Sequence, residues 1–318
     1  MQDFYQSYPR MFQDLLKQDY RIDNYIGQGN PNSKILIIGK ECAIKKECNK
    51  DCSECNEEYR EVKCKEDYKT FINNFKIWKT KSPENIQNWF EACSWDAYHP
   101  RYPFYGQLML KDNNTKGQKK WEELNRGTSV TWKAIQEFIN NLLPDDKKVL
   151  PRQMLNFFDY CFLTELSCNC MPKSEKNDIT KASIENRIGT NGILSHPFFK
   201  SFPVIIFDIY HYIDWYSDLK ILEKFGGVKS NGEPNYSYKG IIVSEELYNQ
   251  YDEKTKRRMP LYRVNNGFKK GEFINVHISK DGTQILLHTS HFVDNYHPRS
   301  DVWMKELADI VKPFVDNI

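Results

Sequence analysis

Residues 35–38 constrain the fold more than any other stretch of this 318-residue chain. They read Ile-Leu-Ile-Ile and are followed directly by Gly39. A strand that is apolar at every position, instead of at alternate positions, is typical of a sheet covered on both faces in an α/β fold. The pattern therefore predicts a buried strand of a parallel sheet that ends in a turn at Gly39.

Further apolar segments with the same character alternate with segments of helical periodicity. The order of strand and helix indicates a mainly parallel sheet with helices on both faces. We therefore predict an α/β fold with three α/β/α layers and a central, mainly parallel, four-stranded sheet. Its strands are expected at 35–38, 160–166, 202–210 and 285–288, and its helices at 9–26, 127–143, 180–194, 213–224 and 302–314.

Two stretches do not fit the alternation and are interpreted as insertions. Residues 42–64 are rich in cysteine, lysine and glutamate, and residues 225–283 contain glycines, tyrosines and alternating residues typical of antiparallel strands. The dipeptide Asp281-Gly282 supports a tight hairpin turn at the end of the second stretch. We expect one domain over residues 1–318, with a Cys-rich insert at 42–64 and a β-rich insertion at 225–283.

Charge and composition limit the possible partners and the compartment. Lysine and arginine (45) nearly balance aspartate and glutamate (43), so a general nucleic-acid binder is excluded and any polyanion site must be local. The N-terminal stretch is too polar for a secretion signal, and no segment approaches the roughly 18 apolar residues of a membrane span. Nine cysteines then indicate a reducing compartment. We expect a cytoplasmic protein without a membrane partner.

The carboxyl ends of the expected strands are where chemistry should be found, because loops at that edge of a parallel sheet converge. These loops begin at Gly39, Glu165, Asp208 and His288. In the first loop the glycine allows close backbone approach, and Glu41 can orient a water molecule. The fourth loop brings three histidines within ten residues.

The motifs at these strand ends occur in a particular order. They are ILIIGKECA, LTELSCNCMP, SIENRIGTNGIL, FPVIIF and LLHTSHFVDN, the last preceding the C-terminal helix. In this order and spacing the chain resembles the uracil-DNA glycosylase superfamily, closest to its iron-sulfur branch, as a divergent member. The resemblance covers roughly residues 31–42, 128–210 and 284–316, and each motif alone is weak.

The resemblance implies hydrolysis of the N-glycosidic bond of a damaged or modified base in DNA. Glu41 falls at the position of the water-orienting carboxylate, and His291 at that of the histidine that supports negative charge on the departing base. Such a reaction passes through an oxocarbenium-like state and needs a pocket for an extruded nucleotide. The residues expected to bind substrate are Gly39, Lys40, Glu165, His288, Ser290 and Tyr105.

Several positions depart from the pattern of the family. Cys42 replaces the proline of the first turn, and Phe292 replaces the proline after the histidine. Glu165 stands where the family has a base-reading asparagine, and a carboxylate cannot donate a hydrogen bond unless it is protonated. This difference favours a base other than uracil, such as one that presents an amino group. His288 and His297 are rivals of His291 for the same function.

DNA is the expected partner, bound as a single strand or with its base flipped out. Residues 254–270 concentrate seven lysines and arginines, which can neutralise phosphates or form a solvated hairpin. Tyr105 belongs to an aromatic segment that can stack on a base or form its own small core. The residues expected to contact phosphates are Lys256, Arg257, Arg258, Arg263, Lys269 and Lys270.

The cysteines of the first insert suggest a metal. Their surroundings contain too few apolar residues to fold by hydrophobic burial, and four thiolates can bind a structural zinc ion. An iron-sulfur cluster is less favoured: the family's early Cys-x2-Cys pair is absent, and only Cys168 or Cys170 matches a family ligand. A reduced loop without metal is the alternative, and the expected chemistry requires no cofactor. The candidate ligands are Cys48, Cys52, Cys55 and Cys64.

Two other functions are compatible with the same sequence. The fold can serve as a nucleic-acid or nucleotide binder without catalysis, with the altered motif residues reflecting lost chemistry. Alternatively, the Cys-rich insert can be a metal-stapled module for protein interaction. In either case Glu41 would cap or salt-bridge the start of the insert, and the histidines would be satisfied by backbone groups.

Overall fold

A computed structural model describes residues 8–18, 25–43, 78, 130–151, 153, 155–171, 176–294 and 297–315. For residues 41–43, 169–171, 294 and 297 it describes the backbone only. The described strands are β1 (Gln28–Gly29), β2 (Ile35–Ala43), β3 (Cys161–Met171), β4 (Val204–Phe207), β5 (Tyr236–Val243), β6 (Leu261–Val264), β7 (Phe273–Ser279), β8 (Ile285–Thr289), β9 (Val293–Asp294) and β10 (His297–Pro298).

The described α-helices surround these strands. They are α1 (Arg10–Lys17), α2 (Val130–Leu142), α3 (Phe157–Tyr160), α4 (Asp178–Ile188), α5 (Pro197–Lys200), α6 (Tyr212–Trp215), α7 (Ile221–Gly226), α8 (Glu245–Gln250), α9 (Glu253–Arg258) and α10 (Asp301–Val311). Short 3-10 turns follow several of them, among them Ile193–Ser195 and Lys312–Phe314. No helix in the described ranges is both long enough and apolar enough to cross a membrane.

The main sheet has eight strands in the order β1-β3-β2-β4-β8-β7-β5-β6, and β9 and β10 form a separate pair. The neighbours β3, β2, β4 and β8 are parallel. β7 is antiparallel to both β8 and β5, and β6 is parallel to β5. β5 and β6 therefore point in the same direction as the parallel strands, while β7 and β1 run against them.

The predicted α/β class is confirmed, but the sheet is larger than the four strands expected. Residues 225–283 contribute β5, β6 and β7, which extend the main sheet beyond β8. The segment was interpreted as an insertion because its alternating pattern indicates strands without showing which strand they join. Pairing between β7 and β8 through the turn at Asp281-Gly282 makes it continuous with the core.

Alternation along the buried strands divides the core between the two faces of the sheet. Ile35 and Ile37 point to a cluster with α2, α3 and α10, in which Phe138 and Trp303 are fully buried. Leu36 and Ile38 point to the other cluster, with helices α1, α4, α5, α6 and α7. Because both faces are covered, a continuous apolar run is the pattern this strand needs.

A buried carboxylate joins the start of β7 to the start of α10. Glu272 is fully buried, and its Oε1 accepts a hydrogen bond from the Ser300 backbone N–H at 2.7 Å. Its Oε2 accepts from the Ser300 hydroxyl at 2.7 Å and from the Lys269 backbone N–H at 2.6 Å. Three donors thus satisfy the charge and fix the end of the loop that connects β8 to α10.

Candidate active site at the carboxyl edge of the sheet

The topology directs attention to the carboxyl end of β4 and to the part of β2 beside it. The turn predicted at Gly39 is wrong, because β2 continues to Ala43 by pairing with β3 after its pairing with β4 has ended at Ile38. β3, which follows β2 in the parallel series, lies on one side of β2, whereas β4 lies on the other side. When the chain connections from two adjacent strands lead to opposite sides of the sheet, a crevice forms outside the carboxyl ends of these strands. Open α/β sheets bind ligands in such a crevice. Gly39, Lys40 and Asp208 lie at this point, because the Asp208 backbone N–H donates to the Ile38 carbonyl at 2.9 Å.

Gly39 lies beside the carboxylate of Glu165 on the neighbouring strand, so a larger residue at position 39 would require that flexible side chain to move. The two residues are paired in register, and a Cβ added at Gly39 would lie 2.3 Å from Glu165 Oε2. The backbone of Glu165 is held in turn by Arg187, whose Nε donates to the Glu165 carbonyl at 3.1 Å. The Glu165 side chain therefore lies against Gly39.

Asp208 and His291 form the central contact of the site. Asp208 Oδ2 lies 3.3 Å from His291 Nδ1, and Asp208 Oδ1 accepts a hydrogen bond from the Phe292 backbone N–H at 2.8 Å. The Asp208 side chain is only 4% exposed, whereas 26% of the His291 side chain remains exposed. The aspartate is thus a buried support, and the imidazole is the part of the pair that a ligand can reach.

Burial keeps both members of this pair in their neutral forms at pH 7. It raises the pKa of Asp208 from 3.8 to about 8, against the opposing effects of the Phe292 N–H, Lys40 and Arg299. Burial also lowers the pKa of His291 from 6.5 to about 3, and the positive charges of Lys40 and Arg299 lower it further. A protonated Asp208 can donate its own hydrogen bond to His291 Nδ1.

The contacts of His291 Nδ1 indicate which nitrogen carries the proton. The Val293 backbone N–H donates to Nδ1 at 3.3 Å, and Asp208 faces the same atom. A neutral imidazole that accepts at Nδ1 carries its proton at Nε2. His291 therefore has an N–H donor on the nitrogen that does not face Asp208.

Two cations contribute positive potential to the pair. Lys40 Nζ lies 5.7 Å from the centre of the Tyr212 ring, and its charge affects both Asp208 and His291. Arg299 is buried, and its Nε donates to the His291 carbonyl at 2.7 Å. Together they favour negative charge at this edge, which suits an anionic group developing on a ligand.

His288 and Ser290 have structural partners instead of facing the crevice. His288 is buried, its Nε2 lies 3.1 Å from the Tyr210 carbonyl, and its Nδ1 lies 3.4 Å from Asn275 Nδ2. Ser290 is fully buried, and its backbone N–H donates to the Phe273 carbonyl. Both residues thus have internal partners, and their contact with substrate, like the rivalry of His288 with His291, stays a prediction.

The loop after β4 is held in a strained conformation beside the site. Tyr210 has a φ of 42°, which is unusual for a residue other than glycine, and its carbonyl is the partner of His288. Such strain is found mainly where the surrounding structure imposes it, often at functional sites. His288 thus fixes the loop that begins at Asp208.

Several predicted site residues lie outside the described part of the chain. Tyr105 and the candidate metal ligands Cys48, Cys52, Cys55 and Cys64 lie wholly outside it. The backbone of Glu41 continues β2 directly after Lys40, but its side chain and that of His297 are not described. Among the described residues, no group of three or more histidines, cysteines or carboxylates is placed to hold a metal ion.

The six basic residues expected to contact DNA are spread along β6 and partly neutralised. Lys256 pairs with Glu253, Arg263 with Glu306 and Lys270 with Glu246. Arg257, Arg258 and Lys269 have no ion pair among the residues that the structure describes. α9 precedes β6 and Lys269 follows it, so the three unpaired cations stand at opposite ends of a four-residue strand.

Asp208 and Arg299 are site residues that the sequence did not single out for a function. Asp208 was recognised as the start of a loop, since it is the first polar residue after an all-apolar strand. Nothing in the local sequence indicates that its carboxyl group is buried against His291. Arg299 carries no signal of its own, because its contact with the His291 carbonyl depends on how the loop before α10 folds back.

The Asp208→Asn variant is expected to change how folding stability depends on pH. The folded-state pKa of about 8 lies above the value of about 4 in an unfolded chain, so the folded state holds the extra proton between these limits. The stabilisation of the folded state by Asp208 is fully present below pH 4 and is lost as pH rises towards 8. His291 acts oppositely, but only between about pH 3 and 6.5.

Of the two residues, only Asp208 therefore changes the free energy of unfolding with pH between pH 6.5 and 8. Relative to Asp208→Asn, the wild-type free energy of unfolding should fall by roughly 2 kcal/mol over this interval, at about 1.4 kcal/mol per pH unit. Urea unfolding at several pH values measures the difference, with Asp309→Asn on the exposed face of α10 as the matched control. A constant difference between wild type and Asp208→Asn contradicts a protonated Asp208.

Comparisons with known proteins do not supply a function for this arrangement. The chain matches no protein-family model, no curated protein and no solved structure.

Proposed function

We propose that the protein hydrolyses the N-glycosidic bond of a damaged or modified base in DNA. The observation that carries the proposal is the contact between His291 and the buried Asp208 at the carboxyl edge of the sheet. This contact orients a neutral imidazole with its N–H on the nitrogen that does not face Asp208. A fixed, uncharged donor of this kind suits a leaving base that gains negative charge as its bond to the sugar breaks.

The proposed reaction assigns one function to each group. The bond between the sugar C1′ and the base nitrogen breaks, and its electron pair leaves with the base. His291 Nε2–H donates a hydrogen bond to that negative charge. Water adds its oxygen to C1′ and gives up a proton, and Glu41 is assigned as the carboxylate that accepts this proton.

Lys40 and Glu165 complete the proposed site from neighbouring strands. Lys40 is the residue between Gly39 and Glu41, and its charge is felt by both members of the His291 pair. It would favour the departing anion and the adjacent phosphate. Glu165, which lies over Gly39, accepts hydrogen bonds and would select a base with an amino group.

Features of the fold support a glycosylase-like arrangement. The four parallel strands β3, β2, β4 and β8 bring together Glu165 and Gly39, which lie within β3 and β2, and Asp208 and His291, which lie in the loops after β4 and β8. This grouping is compatible with the resemblance to the uracil-DNA glycosylase superfamily. This sheet would be the glycosylase-like core, and β7, β5 and β6 would be additions to it. A zinc ion on Cys48, Cys52, Cys55 and Cys64 would be structural and would take no part in the reaction.

The basic segment supplies the proposed contacts with DNA. Only Arg257, Arg258 and Lys269 of the six expected residues are without ion pairs in the described structure. We propose that these three contact phosphates while the flipped base enters the crevice at Gly39. The proposed context is DNA repair in the cytoplasm.

Base release tests the proposal directly. Single-stranded and duplex oligonucleotides, each with one of several modified bases, are incubated with the protein and treated with alkali to cleave abasic sites. We expect strand cleavage at the modified position with wild-type protein and strongly reduced cleavage with Glu41→Gln. Binding without abasic product in both proteins would show instead a nucleic-acid binder that lacks catalysis.

A further inference from the structure

A second concave site lies at the opposite, amino edge of the parallel strands. It has a volume of about 190 Å³ and lies between α5, the end of α7 and the turn that joins β7 to β8. A water molecule needs roughly 10–15 Å³ of such volume, so the cavity has room for a small organic molecule. Its lining includes Lys200, Lys229 and Lys280 around the rings of Phe225 and Tyr236.

The walls of this cavity are preorganised by internal hydrogen bonds. Gln284 Nε2 donates to the carbonyls of Lys200 and Phe202 at 2.8 and 3.1 Å, and its Oε1 accepts from the Tyr236 hydroxyl at 3.2 Å. Asn235 Nδ2 donates to the Gly226 carbonyl at 2.8 Å. Since these amides are already engaged, the charged groups at the rim are left to interact with a ligand.

The charge around the cavity is positive and only partly compensated. Lys280 pairs with Glu233 at 2.7 Å, whereas Lys200 and Lys229 have no ion pair within the described residues. The carboxylate of Asp281 also lines the cavity, but it accepts from Ser279 and Thr283 within its own turn. Lys200 is half-buried without an anionic partner, and this burial lowers the pKa of its ammonium group.

We propose that this cavity binds the phosphate group of a small organic anion, with Lys200 and Lys229 as the principal contacts. Lysine ammonium groups bind phosphate as point charges, and a bound phosphate would compensate the partly desolvated Lys200. The half-buried ring of Tyr236 offers an apolar surface to the organic part of the ligand. The site is independent of the proposed glycosylase reaction, because it is built from residues at the other edge of the sheet.

The same chemistry has two sources, a free phosphate ester and the backbone phosphate of a nucleic acid. Three probes distinguish them: inorganic phosphate, adenosine monophosphate, and a short thymidine oligonucleotide without terminal phosphate. Binding to the full-length protein is measured by titration calorimetry at constant ionic strength, with chloride as the replaced anion. We expect saturable binding of the first two probes, with adenosine monophosphate tighter because its ring contacts Tyr236.

Substitutions of the two lysines test whether phosphate binds in this cavity. Lys200→Gln should weaken the affinity for inorganic phosphate at least tenfold, Lys229→Gln about threefold to tenfold, and the double variant should abolish saturable binding. Lys147→Gln, an exposed lysine remote from the cavity, is the matched control and should bind as wild type does. Circular dichroism and urea unfolding verify that each variant is folded. We expect folded variants because the substituted side chains are polar and partly exposed.

The possible results separate clearly. Competition by the thymidine oligonucleotide identifies a backbone phosphate as the ligand, and absence of competition identifies a free phosphate ester. The proposal is overturned if folded wild-type protein shows no saturable binding of inorganic phosphate or adenosine monophosphate. An equal loss of affinity in Lys147→Gln and Lys200→Gln would also overturn it. Base release in the same preparations reports separately on the carboxyl edge.

Discussion

Replacement of His291 by alanine is expected to slow base release by about two to three orders of magnitude, the effect of removing one donor from a site that stabilises developing negative charge. The loss should appear in the single-turnover rate more than in substrate binding, because the donor acts mainly when charge has formed on the base. His291→Gln retains an N–H donor and should recover part of the rate. Quenched time courses on a modified single-stranded oligonucleotide provide the measurement.

The pH profile distinguishes a donor held by Asp208 from a merely structural histidine. If Asp208 must be protonated to orient His291, wild-type activity should fall as pH rises through about 8, where that carboxyl group ionises. The amide of Asp208→Asn also donates to Nδ1 but does not ionise, so this variant should retain most activity and lose the alkaline limb. Loss of activity in Asp208→Asn at all pH values would indicate that an ionised aspartate is needed.

A matched histidine control excludes a general effect of the substitution. His196 caps α5, where its Nδ1 accepts from the Phe198 backbone N–H at 3.2 Å, and it lies away from the carboxyl edge. His196→Asn keeps an acceptor suited to this position and should leave base release unchanged. An unchanged rate in His291→Ala, measured beside this control, would remove His291 from the proposed reaction.

The sequence was informative where local pattern decides the structure. The apolar run 35–38 predicted the buried strand β2, and Asp281-Gly282 predicted the turn between β7 and β8, where Gly282 has a φ of 74°. The helix expected over 180–194 ends at Ile188, where Gly189 has an extended backbone at the C-cap, and Gly192 then lies too close to the carbonyls of Asn186 and Arg187 for a larger residue. Lys220, at a φ of 49°, likewise divides the single helix expected at 213–224.

The rest depends on contacts between distant parts of the chain. The alternating residues of 225–283 predicted strands, but whether those strands extend the main sheet is determined by pairing between β7 and β8. The same applies to the site. The strand ends expected at Gly39 and Glu165 were wrong, because β2 continues to Ala43 and β3 to Met171 through pairing with each other. The burial of Asp208 against His291 follows only from the packed loops. Charges and burial, which determine protonation here, are properties of the folded protein.

Replacement of Glu272 by alanine is expected to destabilise the protein by about 3–5 kcal/mol, the usual result of removing one member of a buried charged network. Three donors lose their acceptor in this variant: the backbone N–H groups of Lys269 and Ser300 and the Ser300 hydroxyl. Glu272→Gln keeps the shape but presents an amide to at least one donor, so it should also be destabilising. Urea unfolding followed by circular dichroism measures both changes.

An exposed glutamate provides the matched control for Glu272→Ala, and the rate of base release provides a second measurement. Glu253→Ala removes an exposed carboxylate whose pair with Lys256 lies on the surface, so it should cost less than about 1 kcal/mol. Glu272 also holds Ser300, the neighbour of Arg299, and Arg299 holds the His291 carbonyl. Folded Glu272→Ala protein should therefore release base more slowly than wild type, whereas Glu253→Ala should not. A change in unfolding free energy no larger in Glu272→Ala than in Glu253→Ala would show that this buried network does not anchor the loop.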